Sequence, residues 1–354
     1  MKILQISTTK LQYDGLTKVI VSLIDNSKSM KIQHSVSCSV DSLEHWKEEL
    51  RKRNVIVYEL PNRDTNYFRY LWAIKDLIHS NDFDIVHIHG NSATMLLDTI
   101  VARLFGAKKI IVHGHNTETK HPFIHCISRR LLSNITNLRV ACGKDAGDFL
   151  FSKPFIVIPN CIDLDKFKYN QEIRELERKR LNVEDKFVVG HVGRFTEQKN
   201  HEQLIEIFYE LQKEVNNAYL ILIGEGELQD YIKHKVETLK LTEKIYFYGV
   251  SDKVESLMQA MDVFVLTSRY EGLCVTAIEA QAAGLPCVVS DRLSKETKLS
   301  EDFVFVGLEN HISEWVENIR NFDRVIDRKR GYNCVKVQGY DKSELHTVLE
   351  KVWK

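Results

Sequence analysis

The sequence predicts an α/β protein of two domains, each a parallel sheet covered by helices on both faces. Three observations carry that reading. Short apolar strand candidates alternate with helical patterns along the chain, at 2–7, 35–40, 55–60, 84–88, 109–113, 138–142 and 155–158, then at 187–192, 218–223, 244–248, 262–267, 286–290 and 303–306. At 354 residues the chain is long for one core and comfortable for two. The turn Pro159-Asn160-Cys161-Ile162-Asp163, followed by the charged run Glu172 to Lys186, marks a seam, giving a first domain over 1–165 and a second over 166–340. The run itself reads as a solvated helix face.

Composition narrows the class. Lys+Arg and Asp+Glu are both 49, so no global charge draws the chain to nucleic acid or to an anionic bilayer. Seven cysteines, scattered from Cys38 to Cys334 with no Cys-x-x-Cys pair, fit reduced thiols in a cytoplasm. Met1 to Ser7 is one strand long and makes no signal-peptide core. No apolar run approaches the ~18–20 residues of a membrane span. A cytoplasmic location is expected, and the Asn134-Ile-Thr136 sequon is then a chance match.

In the first domain, helical patterns fill 66–80 and 92–105, and two histidine pairs end strands, His87-Ile-His89 and His113-Gly-His115. Alternate residues share a strand face, which invites a metal reading. No nearby Cys or carboxylate completes a ligand set, so no metal is expected, and His113 is expected to pack against the sheet. Residues 67–72, and 119–132 with Lys120, Arg129 and Arg130 among Phe123, Ile124, Leu131 and Leu132, form either basic, aromatic surface faces or helices packed on the sheet.

The second domain is more explicit. Phe187-Val-Val-Gly-His-Val-Gly193 is an apolar strand, followed at once by Arg194-Phe-Thr-Glu-Gln-Lys199-Asn200 and a helix with Leu204, Phe208, Leu211 and Val215 at helical spacing. A planar guanidinium and a mobile ammonium between a strand end and a helix start can clamp a diphosphate. The strand Tyr219 to Ile223 ends in Gly224-Glu225-Gly226, where backbone can approach a base or ribose closely. The strand Asp262 to Ser268 leads into Glu271-Gly272-Leu273-Cys274-Val275, and an Ala-rich helix carrying Glu279 closes at Gly284 and Pro286. The helix start offers free N–H groups and partial positive charge to an anion. Two helical glutamates alone are ordinary surface residues. Three such motifs, each at its own strand end, instead suit a ligand with phosphates in the middle and hydroxyls at both ends, such as a nucleotide-sugar.

In these residues, from about Phe187 to Asp291, the chain resembles the donor-binding domain of retaining glycosyltransferases of family 4, which have the GT-B fold. Ser290-Asp291 through Glu296-Thr297-Lys298-Leu299, with Trp315, is similar to bacterial capsule and exopolysaccharide members, and looser similarity runs through the first half. The resemblance implies two Rossmann-like, doubly wound domains facing across a cleft whose closure excludes water, with a last helix, 341–354, packing back on the first. It implies sugar transfer from a nucleoside-diphosphate sugar, UDP-hexose foremost, to a hydroxyl of a glycan or undecaprenyl-linked oligosaccharide, with possible contact with the inner membrane leaflet. Arg194 and Lys199 would hold the pyrophosphate, Glu279 the ribose, and Glu271 with the backbone of Gly272, Leu273, Cys274 and Val275 the transferred sugar. Gly193, Gly224 and Gly226 would line the donor loops, with base contacts from backbone near Val192 and Gly249. His115, before Asn116, would reach the donor sugar or reaction centre.

Three departures from the family stand out. Relatives pair two glycines after the first strand; here the pair is Asp14-Gly15, and Asp14 must point away from a diphosphate or bind an acceptor hydroxyl. Cys161 stands where a Gly usually follows Pro-Asn. Asp82-Phe-Asp84 and Asp163-Leu-Asp165 match the Asp-x-Asp by which another glycosyltransferase fold holds a metal, but neither has that setting. The expectation is a metal-independent enzyme without cofactor. A nucleotide-sugar epimerase, a glycogen-type phosphorylase and a non-catalytic nucleotide-sugar-binding protein are the alternatives.

Overall fold

The computed structural model describes residues 1–119, 121–322 and 327–354. Lys120, one of the basic residues read into the 119–132 face, lies outside the described residues. Among the described residues, thirteen strands form where strands were expected. β1 (Lys2–Ser7), β2 (Gln33–Ser39), β3 (Ile56–Leu60), β4 (Ile85–Gly90), β5 (Lys109–Gly114), β6 (Leu138–Ala141) and β7 (Ile156–Val157) make one sheet in the order β3-β2-β1-β4-β5-β6-β7. β8 (Phe187–Val192), β9 (Ala218–Ile223), β10 (Ile245–Gly249), β11 (Val263–Leu266), β12 (Cys287–Ser290) and β13 (Phe303–Val306) make a second, in the order β10-β9-β8-β11-β12-β13. Every strand pair is parallel. β4, β8, β11 and β12 bury all their residues, as strands covered on both faces do.

Each sheet reverses its winding once, between β1 and β4 and between β8 and β11. Ligands of such sheets bind beyond the carboxyl ends of the strands at that reversal. The sequence motifs that carry charge follow β8 and β11, so the topology brings them to one crevice.

The chain divides into Met1–Cys161 with Lys342–Lys354, and Ile162–Asp341. Residues 162–165, grouped with the first domain on sequence, thus fall in the second. Ile162 N–H donates to the Tyr340 carbonyl at 2.9 Å, and Leu164 and Phe167 are buried in a short helix against the helix Val275–Ala282. The terminal helix Lys342–Trp353 belongs to the first unit. Its Leu345, Leu349, Val352 and Trp353 share a core with Ile3, Ile85 and Ile111, and Lys109 Nζ donates to the Val352 carbonyl at 2.9 Å.

The charged run is not simply a solvated face. The helix Gln171–Arg180 starts at an Asn170 cap, and its Arg174 and Arg178 turn inward to Asp262. Asp262 opens β11 and accepts the Val188 N–H at 2.7 Å, while Arg178 also donates to the Ala260 carbonyl at 2.9 Å. Partly buried charges need such partners, and sequence alone does not locate them.

Candidate active site

The loops after β8 and β11 are laced together by side-chain and backbone hydrogen bonds. The Arg269 N–H donates to the Gln198 carbonyl at 2.8 Å, and Gln198 Nε2 returns a bond to the Tyr270 carbonyl at 3.0 Å. Thr267 Oγ1 donates to the Asn200 carbonyl at 2.9 Å and lies 3.2 Å from that of Lys199. Arg269 Nη2 reaches Asn200 Oδ1 at 3.2 Å. Asn200 takes the left-handed conformation, φ +53°, and starts the helix His201–Glu214 from it. Asn tolerates that region better than most side chains. The sequence motifs contain Asn200 and Arg269, but sequence assigns no task to them or to Gln198 and Thr267.

This lacing sets the Lys199 ammonium 2.7 Å from Glu271 Oε1, which also accepts from Ser268 Oγ at 3.1 Å. Both side chains are mostly buried, at 16% and 13% exposure. Burial opposes the ammonium, but the carboxylates, Glu271 first and then Glu279, outweigh it and hold the Lys199 pKa above its ordinary value. Beneath it lie two buried imidazoles. His191, whose Nδ1 is 2.9 Å from the Val265 carbonyl, is pushed down to about 3, and His201, stacked on Phe195, to about 2, both chiefly by burial. Lysine therefore carries the cluster's positive charge at neutral pH. Burial, then the neighbouring Glu271, raises the thiol of Cys274, the residue before the helix Val275–Ala282, and its Sγ lies 3.3 Å from Thr276 Oγ1. Gly272 and Leu273 are buried before that cap, Val275 is half-buried, and Glu279 is buried two turns on.

Arg194 is more open and pairs loosely with Glu227 at 3.6 Å. The glycines around it have a specific cause. A Cβ on Gly224, at φ +135°, would stand 2.2 Å from the Gly193 carbonyl oxygen, and one on Gly226 2.5 Å from that of Phe195. The Gly-x-Gly turn thus lets the two loops nest backbone to backbone, with Phe195 N–H on the Glu225 carbonyl. A Cβ on Gly193 would meet Lys199 Cδ at 3.1 Å, so that glycine makes room for the lysine stem. Gly249, at φ +81°, accepts the Gly224 N–H at 2.8 Å.

In the first unit, Asp14 has a structural task that the sequence reading did not assign. Its Oδ1 accepts the Thr17 N–H at 2.9 Å, capping the helix Gly15–Asp25. A Cβ on Gly15 would meet nothing within 4 Å. Asp84 and Asp82 both pair with Lys108, and Asp165 accepts from Tyr332.

The histidines gather. His87, His89 and His113 are wholly buried, and one ring nitrogen from each lies within 4.8 Å of the other two. The third partner is supplied by a neighbouring strand rather than by the Cys or carboxylate sought in the sequence. His115 adjoins them, its Nε2 3.1 Å from His89 Nδ1, and burial lowers it to about 3. His89 Nε2 meets Gln5 Oε1 at 2.6 Å. Neither nitrogen of His87 or His113 has a described protein partner. A buried polar group left so costs about 1–3 kcal/mol. The structure sets His115 among these rings in the first unit, and the other twelve expected site residues, Gly15 apart, in the second.

The two helices weighed as surface faces bury different sides. Tyr67–His79 buries Tyr70, Ile74, Leu77 and Ile78 and leaves Phe68 and Trp72 exposed. Pro122–Ile135 buries His125, Ser128, Leu132 and Ser133, while Phe123, Ile124, Ile127 and Leu131 face outward. No described helix is long and apolar enough to cross a membrane, and the cysteines form no disulfide among the described residues.

Two parallel sheets of this order, the second with cations and carboxylates gathered at its winding reversal, are those of a GT-B glycosyltransferase. The chain belongs to the glycosyltransferase families that this architecture serves: residues 13–166 match Glycosyltransferase Family 4 and residues 172–322 match Glycosyl transferases group 1. EpsF of Bacillus subtilis (strain 168), a protein designated a glycosyltransferase, is 30% identical over 322 residues, 86% of this chain and 83% of its own. The UDP-Gal:alpha-D-GlcNAc-diphosphoundecaprenol alpha-1,3-galactosyltransferase of Escherichia coli is 30% identical over 62% of this chain and 61% of its own. Among solved structures, Anabaena Alr3699/HepE in complex with UDP-glucose superposes with a TM-score of 0.80, covering 100% of this chain and 99% of that one at 19% identity, and so shares the fold.

Proposed function

We propose that the protein is a retaining glycosyltransferase that moves a hexose from a UDP-sugar to a hydroxyl of a glycan or undecaprenyl-linked oligosaccharide in exopolysaccharide synthesis, working in the cytoplasm without a catalytic metal. The observation that carries this reading is the laced pair of loops that sets Lys199 against Glu271 beside the start of the helix Val275–Ala282. The relatives support the chemistry: one is named for UDP-galactose and a diphosphoundecaprenol acceptor, and one fold neighbour is described with UDP-glucose.

In this reading the bond between the sugar's anomeric carbon and the diphosphate breaks, and its electron pair passes to the phosphate oxygen. Arg194, Lys199 and the first N–H groups of the helix stabilise that charge as it develops. The acceptor hydroxyl attacks from the same face and gives its proton to the departing phosphate, yielding a glycoside and UDP. Glu279 holds the ribose hydroxyls, Glu271 and the backbone of residues 272–275 the sugar, and neutral His115 reaches the reaction centre. The outward row Phe123, Ile124, Ile127 and Leu131 supports contact with the inner leaflet where a lipid-linked acceptor lies. Flotation with anionic liposomes at low salt tests that part, and a protein that stays at the bottom of the gradient removes it.

The central experiment is calorimetric titration of UDP, GDP, dTDP and ADP into the wild type and Arg194→Ala. UDP is expected to bind best and to lose most of its affinity in the variant. Equal, unaltered binding by the variant would displace the phosphate site, and no binding of any diphosphate would overturn the function. Release of UDP from UDP-hexose only when acceptor is present separates transfer from epimerisation, and unchanged turnover in EDTA tests metal independence.

A further inference from the structure

The histidines inside the first sheet have no part in holding the donor phosphate, and their arrangement points to a second role. We propose that His87, His89 and His113 form a buried site for one first-row divalent cation of the Zn²⁺ class, held as a structural ion within the first unit. This inference stands apart from the transferase reading and survives its failure.

Register builds the site. His87 and His89 alternate onto one face of β4, and parallel pairing sets His89 opposite His113 of β5. The ring planes of His87 and His113 are nearly parallel, 8° apart with centroids 5.4 Å apart, and the ring centroid of His89 is 4.1 Å from that of His87. Ligand nitrogens already within 4.8 Å of one another need small side-chain rotations to reach the roughly 3.3 Å spacing implied by tetrahedral bonds of about 2.0–2.1 Å. A water can supply the fourth donor.

The chemistry of the donor set selects the ion. Three imidazoles without a carboxylate do not suit Mg²⁺ or Ca²⁺, which take oxygen ligands, and do suit Zn²⁺, Co²⁺, Ni²⁺ or Cu²⁺. Gln5 Oε1 at 2.6 Å fixes the proton on His89 Nε2, as outer-shell contacts of a ligating histidine do, and an ion on Nδ1 replaces that nitrogen's 3.1 Å contact with His115 Nε2. A cation would also take one nitrogen from each of His87 and His113, whose ring nitrogens meet no described protein group. The competing occupant of the same place is ordered water.

The full-length protein, without a polyhistidine tag, would be refolded with Zn²⁺, with Co²⁺ or with EDTA, desalted, and assayed for metal by plasma mass spectrometry. We expect about one ion per chain, retained through brief EDTA treatment because no ligand is exposed, tetrahedral absorption bands with Co²⁺, and a higher melting temperature than the EDTA-refolded protein. His87→Leu should weaken retention by more than the about 10–100-fold typical of outer-shell changes, whereas the surface variant His45→Ala should keep the ion. Wild-type protein that refolds cooperatively yet retains neither metal overturns the proposal and leaves water in the cluster. That result decides the matter even where His87→Leu does not fold.

Discussion

In the second unit the polar residues that converge are charged and lie beyond the ends of β8 and β11; in the first they are neutral imidazoles within and just after β4 and β5. The strand order around each winding reversal is the same. Position along the strand makes the difference. Past a strand end, loop backbone and water remain near, so an ammonium and a carboxylate can stay ionised as a pair. Inside a buried strand, a charge has no such company and an imidazole gives up its proton. One sheet plan thus carries an electrostatic site at its rim and a hydrogen-bonding or ligating site in its interior.

Four experiments sharpen or break that contrast. The largest expected effect is on the first unit's fold. Trp353→Ala opens a cavity under the buried terminal helix and should cost about 3–5 kcal/mol, seen as early loss of first-unit protection in hydrogen exchange while the second unit stays protected. Arg194→Ala addresses the charged rim instead. It should lower kcat by roughly 100–1000-fold, about 2.7–4 kcal/mol of barrier, with the denaturation midpoint unchanged because the side chain is partly open. Equal damage to stability and rate would mean the rim is a folding element.

Acid tests the interior of both units. Burial lowers His34 to about 4, His191 to about 3 and His201 to about 2, from an ordinary 6.5. The unfolded chain therefore binds more protons, so their contribution is complete above pH 6.5 and declines as pH falls toward those values. Urea midpoints measured from pH 7 to pH 4 should fall steadily, and a flat profile would show that these rings titrate freely when folded. The smallest effect is local. Thr267→Val removes the hydroxyl that bridges the two loops and should cost about 1 kcal/mol of stability with a larger rise in donor KM than fall in kcat.

Much of this was legible in the sequence. Parallel strands buried on both faces, such as β4, β8, β11 and β12, read as apolar runs, and a strand was expected near each of the others as well. Arg194, Lys199 and Glu271 were readable because each follows a strand end, and topology brings such positions together. What escaped depends on distances between segments far apart in sequence. The Gln198 and Arg269 bonds exist because the loops after β8 and β11 meet, and the Gly224 and Gly226 packing because the loops after β8 and β9 nest. The histidine triad needs the β4–β5 register, so a search along one strand finds only two members. Asp14 was legible as an Asp-x-x-Thr helix cap, but the family's glycine pair drew attention to phosphate instead. Arg178 hid in a run whose overall polarity suggested water.

The terminal helix has a consequence for how the protein is born. Residues 162–341 are contiguous, whereas the first unit needs Leu345, Leu349, Val352 and Trp353 to cover Ile3, Ile85 and Ile111. At a ribosomal pace of ~5–20 residues per second, about 10–40 s separate the emergence of residue 161 from that of residue 353. During that interval the older half of the nascent chain waits with an uncovered apolar seam while the younger half completes itself, so the part made first is the last to be finished.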